Sequence, residues 1–524
     1  MPVREDNIEV LKNRILRKLN ISDHDLKEFF ITKKSIDARD KNNVFFVYEV
    51  NAKINNEQVV VNRLQSIDVE VIIEEEYVYP RMGNNNLEKR PVIVGSGPSG
   101  LFCALLLAEC GYRPIVIERG EKIEYRVNTV ETFWKDGRVN PNSNVCFGEG
   151  GAGTFSDGKL NTLNNDIGGR IRKVYKTFVE CGANEEILYD SKPHIGTDIL
   201  RNVIVNLRNR IIDLGGEFLF NSCMTDITIF NNRIQSIIIN NSKIIETDVL
   251  VLALGHSAKD TISMLYSYDM GMVAKPFAVG VRIQHKQDMI NRSQYGEYSS
   301  YLPAASYKLT YTAKNKRGVY SFCMCPGGYV VNSSCENNQM IINGMSNHAR
   351  DGENANSAIV VTVGLEDFGN DPIRAMDYQR SLERKAFEAG NGKIPTQLFG
   401  DYLRGVKSNH FEGVNPVFKG DYSFADLNEI FPKYINEALK EGIQYFDTKI
   451  KGFGNKDAIL SAVESRTSSA IRILRNDDFE SNILGIYPVG EGAGYSGGIT
   501  TSSVDGLRAA EKIIEKYTNR SLNS

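Results

Sequence analysis

Six residues, Gly95-Ser-Gly97-Pro-Ser-Gly100, stand between two apolar segments, Pro91-Val-Ile-Val94 and Leu101 to Cys110. Three glycines at that spacing, after a strand and before a helix, constrain this chain more than any other feature. The first glycine permits a tight turn, the second leaves room for a pyrophosphate, and the third lets helix and strand pack closely. The exposed N–H groups and the positive end of the helix dipole hold the phosphates. Gly95, Ser96, Gly97, Pro98, Ser99 and Gly100 are therefore candidate cofactor contacts. Gly111 ends the helix, and Pro114-Ile-Val-Ile117 follows as the next strand. The fully apolar strands suit a parallel sheet covered on both faces. Glu118 closes the second strand, near the ~20-residue offset expected of a ribose-binding acid. An acid there favours a free 2′-hydroxyl, and so FAD or NAD over NADP. A glycine-rich turn without a nucleotide is the plain alternative, and the strand, helix and acid together weigh against it.

The rest of the chain bounds the architecture. Its 524 residues allow roughly three domains. Residues 1–88 read as an N-terminal α+β module. It has a helix at Ile8, Leu11, Ile15 and Leu19, a second helix from Asp23 to Phe30, and strands Val44 to Val50 and Val69 to Ile73. The acidic Glu74-Glu-Glu76 and a loop then close it. From Ile227 to Glu246, β-branched runs broken by Asn231-Asn232 and Asn240-Asn241 signal a meander. Asp248 to Leu254 is another buried strand, ending at Gly255. Strand-like runs dominate residues 274–365, whereas 370–480 read as more helical, clearest at Asp377 to Ala389 and Ile430 to Gly442. Val504 to Tyr517 is a final amphipathic helix.

Charge and cysteines exclude several classes. Lys+Arg of 62 against Asp+Glu of 65 leaves a net charge of −3, which gives no general reason to bind nucleic acid or anionic lipid. The eight cysteines are scattered without CxxC spacing, so neither a disulfide scaffold nor a zinc site is indicated. No metal ligand set is expected. The polar N-terminus shows no secretory signal, and the longest apolar stretch is about half the ~20 residues of a membrane helix. The expectation is a cytoplasmic protein with reduced thiols.

FAD and NAD are separated farther along. A contiguous dinucleotide fold is usual for NAD dehydrogenases. Here Asp248 to Gly255 supplies another strand–glycine unit, and Gly490-Glu-Gly-Ala-Gly-Tyr-Ser-Gly-Gly-Ile-Thr500 a further glycine-rich turn before a helix. Nucleotide-type segments this far apart imply a fold interrupted by an insertion. The expected class is α/β. It combines a Rossmann-like FAD-binding domain (three layers, parallel sheet plus β-meander) with an inserted β-rich substrate domain and the N-terminal module. The boundaries are 1–88, 89–265, 266–480 and 481–524, the second and fourth segments forming the FAD-binding domain.

Val92 to Leu101, Val116-Ile-Glu-Arg-Gly120, Phe147 to Lys159 and Val489 to Ile499 carry a resemblance. The chain resembles the glutathione-reductase-type FAD-dependent oxidoreductases. More closely, it is similar to a largely uncharacterised bacterial family of FAD-dependent dehydrogenases. The resemblance implies non-covalent FAD, with Glu118 on the adenosine ribose and Arg119 beside it. Gly490 and Glu491 stand where many flavoproteins have Gly-Asp facing the ribityl chain, and the glutamate is a departure. The N–H groups around Gly498 and Ile499 would face the flavin pyrimidine edge, where a helix N-terminus stabilises negative charge. Arg126 would reach a phosphate or lie solvated on the surface.

Gly148-Glu-Gly-Gly-Ala-Gly153 lacks a preceding strand. Close approach of Gly151 and Gly153 to the flavin or pyrophosphate is one reading, and a flexible lid the other. Lys159 and Asn161 are candidate polar contacts. His194 would face the cofactor or serve structure, with Thr197 or Asp198 as a helix cap. Cys323-Met-Cys325-Pro-Gly-Gly328 offers either Cys325 as a catalytic thiol or a turn flanked by buried thiols. Arg350 would clamp an anion. The catalytic candidates are thus Cys325, Lys159 and Arg350.

The function expected is hydride transfer between flavin N5 and a small, anionic metabolite. With no second strand–GxGxxG–helix unit, NAD(P)H would bind only transiently. The alternatives are an FAD-containing RNA-modifying or binding protein, and an NAD dehydrogenase without flavin. The expected partner is a small-molecule substrate, not nucleic acid or membrane; the sequence leaves the oligomeric state open.

Overall fold

The computed structural model describes residues 1–73, 76–162 and 166–522. Glu74 and Glu75 of the acidic run lie outside them. A five-stranded parallel sheet carries the glycine motif, in the order Ile486–Pro488, Leu250–Leu252, Val92–Val94, Ile115–Ile117, Glu217–Leu219. The strand before the glycines lies at its centre. The chain adds Ile115–Ile117 and Glu217–Leu219 on one side of it and then returns to its other side with Leu250–Leu252, so the carboxyl end of Val92–Val94 is the switch point at which such sheets bind ligands. The helix Pro98–Glu109 is buried from Ser99 to Ala108, which explains its lack of a polar face. The final helix, Ile499–Lys516, packs along it, with Gly506 against the Ser99 backbone. A side chain at Gly506 would overlap that backbone.

The meander, Met224–Phe230, Arg233–Ile239 and Lys243–Glu246, forms a three-stranded antiparallel sheet. Its turns fall on Asn231-Asn232 and Asn240-Asn241, all four with positive φ. Asparagine tolerates that conformation.

Between Leu250–Leu252 and Ile486–Pro488, the chain builds a seven-stranded sheet around Phe277–Lys286 and Asn354–Val363. The helices Pro372–Ala389 and Lys433–Asp447 pack on it and share its core. Residues 370–480 are more helical, as expected, but they also supply strands that the sequence reading did not show. Ile394–Leu398, Tyr422–Phe424 and Ile459–Glu464 belong to this sheet, and Ile471–Ile473 pairs with Met272–Ala274. Long helices dominate the pattern by residue count, and short buried strands leave no alternation to read.

The N-terminal module is the helix Ile8–Leu19, a hairpin of Leu26–Asp37 with Phe45–Ile54, and the helix Glu57–Leu64. Two expectations fail. Asp23–Asp25 is a single short turn, and its expected helix is instead the hairpin's first strand. Val69–Ile73 is not a strand; it finds no partner edge and lies largely exposed. Among the described residues, no helix is long and apolar enough to cross a membrane.

Candidate functional site

Three remote glycine segments meet at the carboxyl end of the parallel sheet. The Gly150 N–H donates to the Ser96 carbonyl at 3.0 Å. A Cβ on Gly151 would lie 3.1 Å from the Gly97 Cα, and one on Gly153 would lie 3.4 Å from Ile499. The Thr500 hydroxyl, at the second residue of the last helix, donates to the Leu160 carbonyl at 2.7 Å. Gly490 is tied to the same helix by its N–H to Asp505 at 2.8 Å.

These glycines divide by physical need. Side chains at Gly95 and Gly100 would strike the Ala253 and Gly95 backbones, so packing requires both glycines. Gly97 has an ordinary φ of −74°, and its only near neighbour would be the Gly151 Cα at 3.9 Å. Gly497 has nothing within 4 Å, and Gly498 is extended and meets only the Thr501 hydroxyl oxygen, at 3.7 Å. Gly255 also faces open space, although its positive φ of 66° suits glycine on its own. Gly97, Gly497 and Gly498 are thus glycine without any steric demand from the protein. They line an open cradle of bare backbone that side chains would fill, as close approach of a dinucleotide requires. The residues present fit FAD.

Glu118, the expected ribose acid, is buried at the end of the second strand of the parallel sheet. Its carboxylate accepts four hydrogen bonds, from the Ser96 N–H (3.0 Å), the Ser96 hydroxyl (2.7 Å), the Gly120 N–H (3.0 Å) and the Gly148 N–H (3.0 Å). Of these donors only the Ser96 hydroxyl can rotate away, so that direction is the one open to a ribose hydroxyl. Arg119 pairs with Asp260, with 3.1 Å from Nη1 to the carboxylate, and stacks over Phe147.

Arg126 is corrected. It is neither solvated nor turned to a phosphate. Its fully buried guanidinium donates to the carbonyls of Asn144 (2.9 Å), Val145 (3.0 Å), Glu149 (2.6 Å) and Gly151 (3.0 Å). Those bonds hold the second glycine cluster, which is a clamped loop. Burial lowers the Arg126 pKa to about 10.

Glu491 is half-buried beside Gly490. Burial raises its carboxyl to about 7, against the pull of Lys275. Farther out, Lys159 and Arg350 converge on Asp157, a buried carboxylate within the Phe147 to Lys159 segment. Lys159 Nζ lies 2.9 Å from it, and Arg350 bonds it through Nε at 3.0 Å and also through Nη2. Burial penalises the Asp157 charge, yet the two cations hold its pKa below the usual value. Burial likewise opposes the Lys159 charge, and Asp157 overcomes it, so its pKa is raised. Lys159 Nζ is also 3.7 Å from the Cys325 sulfur, which brings the three catalytic candidates together. His194 stacks on His348 with ring centroids 5.1 Å apart and bonds its carbonyl. Burial, then Arg350, keep the His194 pKa low. The cap expected of Thr197 or Asp198 is taken by Gly196; Asp198 accepts the His348 N–H at 2.8 Å instead. Asn161 is exposed.

Sequence reasoning missed Arg282, Glu464 and Asn356. Arg282 is fully buried and bonds Glu464 (3.0 Å), Asn356 (2.7 Å) and the Cys323 carbonyl (3.1 Å) beneath the CxC segment. An isolated arginine in an apolar strand was the one available signal, since buried arginines need partners.

A switch-point cradle of three glycine segments, with a buried acid after the second strand and the N-terminus of the last helix beside it, defines a Rossmann-like FAD-binding fold. Comparison with known proteins agrees. The chain matches "FAD-dependent protein, C-terminal domain-like" over residues 276–467, an NAD(P)-binding Rossmann-like domain over 93–147 and a domain of unknown function over 1–53. It is 49% identical over 520 residues to an uncharacterized protein of Clostridium beijerinckii, covering 98% of this chain and 97% of the relative. The chain belongs to the same family as that protein, and its residues 276–467 are similar to the FAD-dependent C-terminal domain. Among solved structures, it is similar to glycine oxidase from Bacillus cereus, with 11% identity, 83% and 100% of the two chains covered and a TM-score of 0.35. It is also similar to L-proline dehydrogenase from P. horikoshii, with 11% identity, 82% and 93% covered and a TM-score of 0.32.

Proposed function

We propose that this chain is a cytoplasmic FAD-dependent oxidoreductase of the glutathione-reductase type, exchanging a hydride with a small anionic metabolite. The observation that carries the reading is the set Gly97, Gly497 and Gly498, glycines whose missing side chains serve no packing need. Bound non-covalently, FAD supplies a two-electron carrier that accepts or gives a hydride at N5.

The chain's residues bind and orient. The N–H groups at the start of Pro98–Glu109 face the pyrophosphate, and Glu118 takes a ribose hydroxyl where the Ser96 hydroxyl now sits. The N-terminus of Ile499–Lys516 favours negative charge at the pyrimidine edge. On the substrate side, Lys159 and Arg350 share one carboxylate, Asp157, which leaves one positive charge in excess. That excess suits an anionic substrate placed near Cys325. NAD(P)H is the proposed transient reductant.

Gly97→Ala tests the cradle. Helix-cap preferences put its cost to the apoprotein below about 1 kcal/mol, and the structure has room for the methyl group. Flavin absorbance after gentle purification should fall at least tenfold with thermal stability nearly unchanged. Wild-type protein that is colourless and cannot be reconstituted with FAD would overturn the reading. Anaerobic bleaching by NADH or NADPH, then reoxidation by a metabolite panel, identifies the substrate.

A further inference from the structure

The two strands of the N-terminal hairpin offer unequal outer edges. Leu26–Asp37 is interrupted twice, because the pairing skips Lys27 and Thr32, and its outer edge meets Tyr189 and Ser191 at Lys34. Phe45–Ile54 runs through all ten of its residues without a skip. Its outer edge is taken at one end only. Met1 exchanges backbone bonds with Phe46, and the Val3 N–H donates to the Val44 carbonyl at 3.3 Å. Backbone groups alternate along an antiparallel strand, so those of Tyr48, Val50 and Ala52 point outward as those of Phe46 do. Among the described residues, no backbone group bonds them there. A regular edge of this kind is a template for another strand, and a two-stranded sheet is only marginally stable alone. This strand has neither the proline nor the bulge that blunts many edges.

Its charges say which strand fits. Glu49 and Lys53 lie on the exposed face, two residues to either side of Asn51. Each has a partner across the hairpin, Lys33 for Glu49 at 2.7 Å and Glu28 for Lys53 at 3.4 Å, yet both side chains stay more than half exposed. A copy of the same strand, laid antiparallel about a twofold axis beside Asn51, sets Glu49 against the partner's Lys53 and Lys53 against the partner's Glu49. The same register sets Val50 against the partner's Ala52, both with outward backbone groups, so the ladder closes. The row across four strands then reads Glu28, Lys53, the partner's Glu49, the partner's Lys33, with the sign alternating at every step. A slip of two residues sets Glu49 or Lys53 against Asn51. A slip of four sets glutamate against glutamate or lysine against lysine. A lysine on an edge ordinarily discourages pairing; here the copy brings an acid to meet it.

We propose that the edge of Phe45–Ile54 pairs with its own copy, joining two chains into an isologous dimer through a four-stranded antiparallel sheet. The contact does not depend on the function proposed above.

Full-length protein is followed by sedimentation velocity over a dilution series. The expected result is a monomer–dimer equilibrium. The Tyr48, Val50 and Ala52 amides should exchange hydrogen slowly in the dimer and quickly on dilution. Val50→Pro removes an outward N–H that the hairpin does not use, and should weaken dimerisation at least about tenfold. Glu49→Lys and Lys53→Glu each set like charges opposite one another twice per dimer, and each should weaken it by about as much. Mixed together, these two variants oppose unlike charges at both positions and should associate with each other. Urea unfolding of the two charge variants at monomer concentration should stay near wild type, because their pairs within the chain are exposed. The proposal is overturned if wild-type protein stays monomeric throughout the series; amides protected in that monomer would show that the chain itself covers the edge. It is equally overturned if a dimer survives all three substitutions, or if the mixed charge variants do not associate.

Discussion

Glu118, proposed above as the ribose acid, also ties the fold together. Its carboxylate joins Ser96, Gly120 and Gly148, three points on separate segments. Glu118→Ala therefore strands buried N–H groups at about 1–3 kcal/mol each. It should lower the melting temperature as well as flavin retention, so it is a poor test of the ribose contact. Ser96→Ala is the cleaner one. It frees a carboxylate direction and keeps every backbone donor, so FAD affinity should hold or tighten in a flavin titration; weaker binding would make the hydroxyl itself a ligand. Glu491 gives a pH signature. Its folded-state carboxyl is raised to about 7, chiefly by burial. The folded protein thus binds more protons than the unfolded chain between the ordinary carboxylate pKa and 7. Stability is greatest below that window and falls as pH rises through it. Melting temperatures of apoprotein from about pH 5 to about pH 8 should decline, and Glu491→Gln should flatten the decline.

At the scale of elements, the loop from Asn144 to Gly151 depends on Arg126. Arg126→Ala takes a donor from four carbonyls; Glu149 keeps the Thr154 hydroxyl at 3.1 Å, and each buried carbonyl left without a partner costs about 1–3 kcal/mol. Limited proteolysis should then cut within this loop, which wild-type protein should resist. This element marks where the sequence is legible and where it is not. The strand–glycine–helix unit, the asparagine turns and the convergence of glycine segments were readable because local sterics dictate them. Arg126 was not, because its partners are backbone carbonyls in a loop without regular structure. The strands at 394–398 and 459–464 were hidden for a related reason. They are buried throughout, so no alternation betrays them. The link from Lys159 to Cys325 crosses two domains of the fold, and no local pattern encodes it.

Across the whole molecule, the sheet that carries the glycines and the inserted sheet are bound by buried charge. Glu383, on the helix Pro372–Ala389, takes Arg466 in two bonds of 2.9 Å, and Lys259 of the first region lies 3.5 Å away. Burial opposes the Glu383 charge, but Arg466 and Lys259 hold its pKa far below the usual value. Removing one member of such a cluster leaves the others uncompensated. Glu383→Gln should destabilise the protein by about 3–5 kcal/mol in urea unfolding, whereas a change at an exposed pair such as Lys33 and Glu49 should be nearly silent.

The parallel sheet begins with Val92–Val94 but gains its outer strand only at Ile486–Pro488, and the helix after that strand seats against the first glycine turn. On a ribosome, nearly four hundred residues emerge between the first half of this nest and the second. Vitamin capture is therefore a late event in the birth of the chain, and a message cut short in its final stretch yields a product unable to keep its coenzyme.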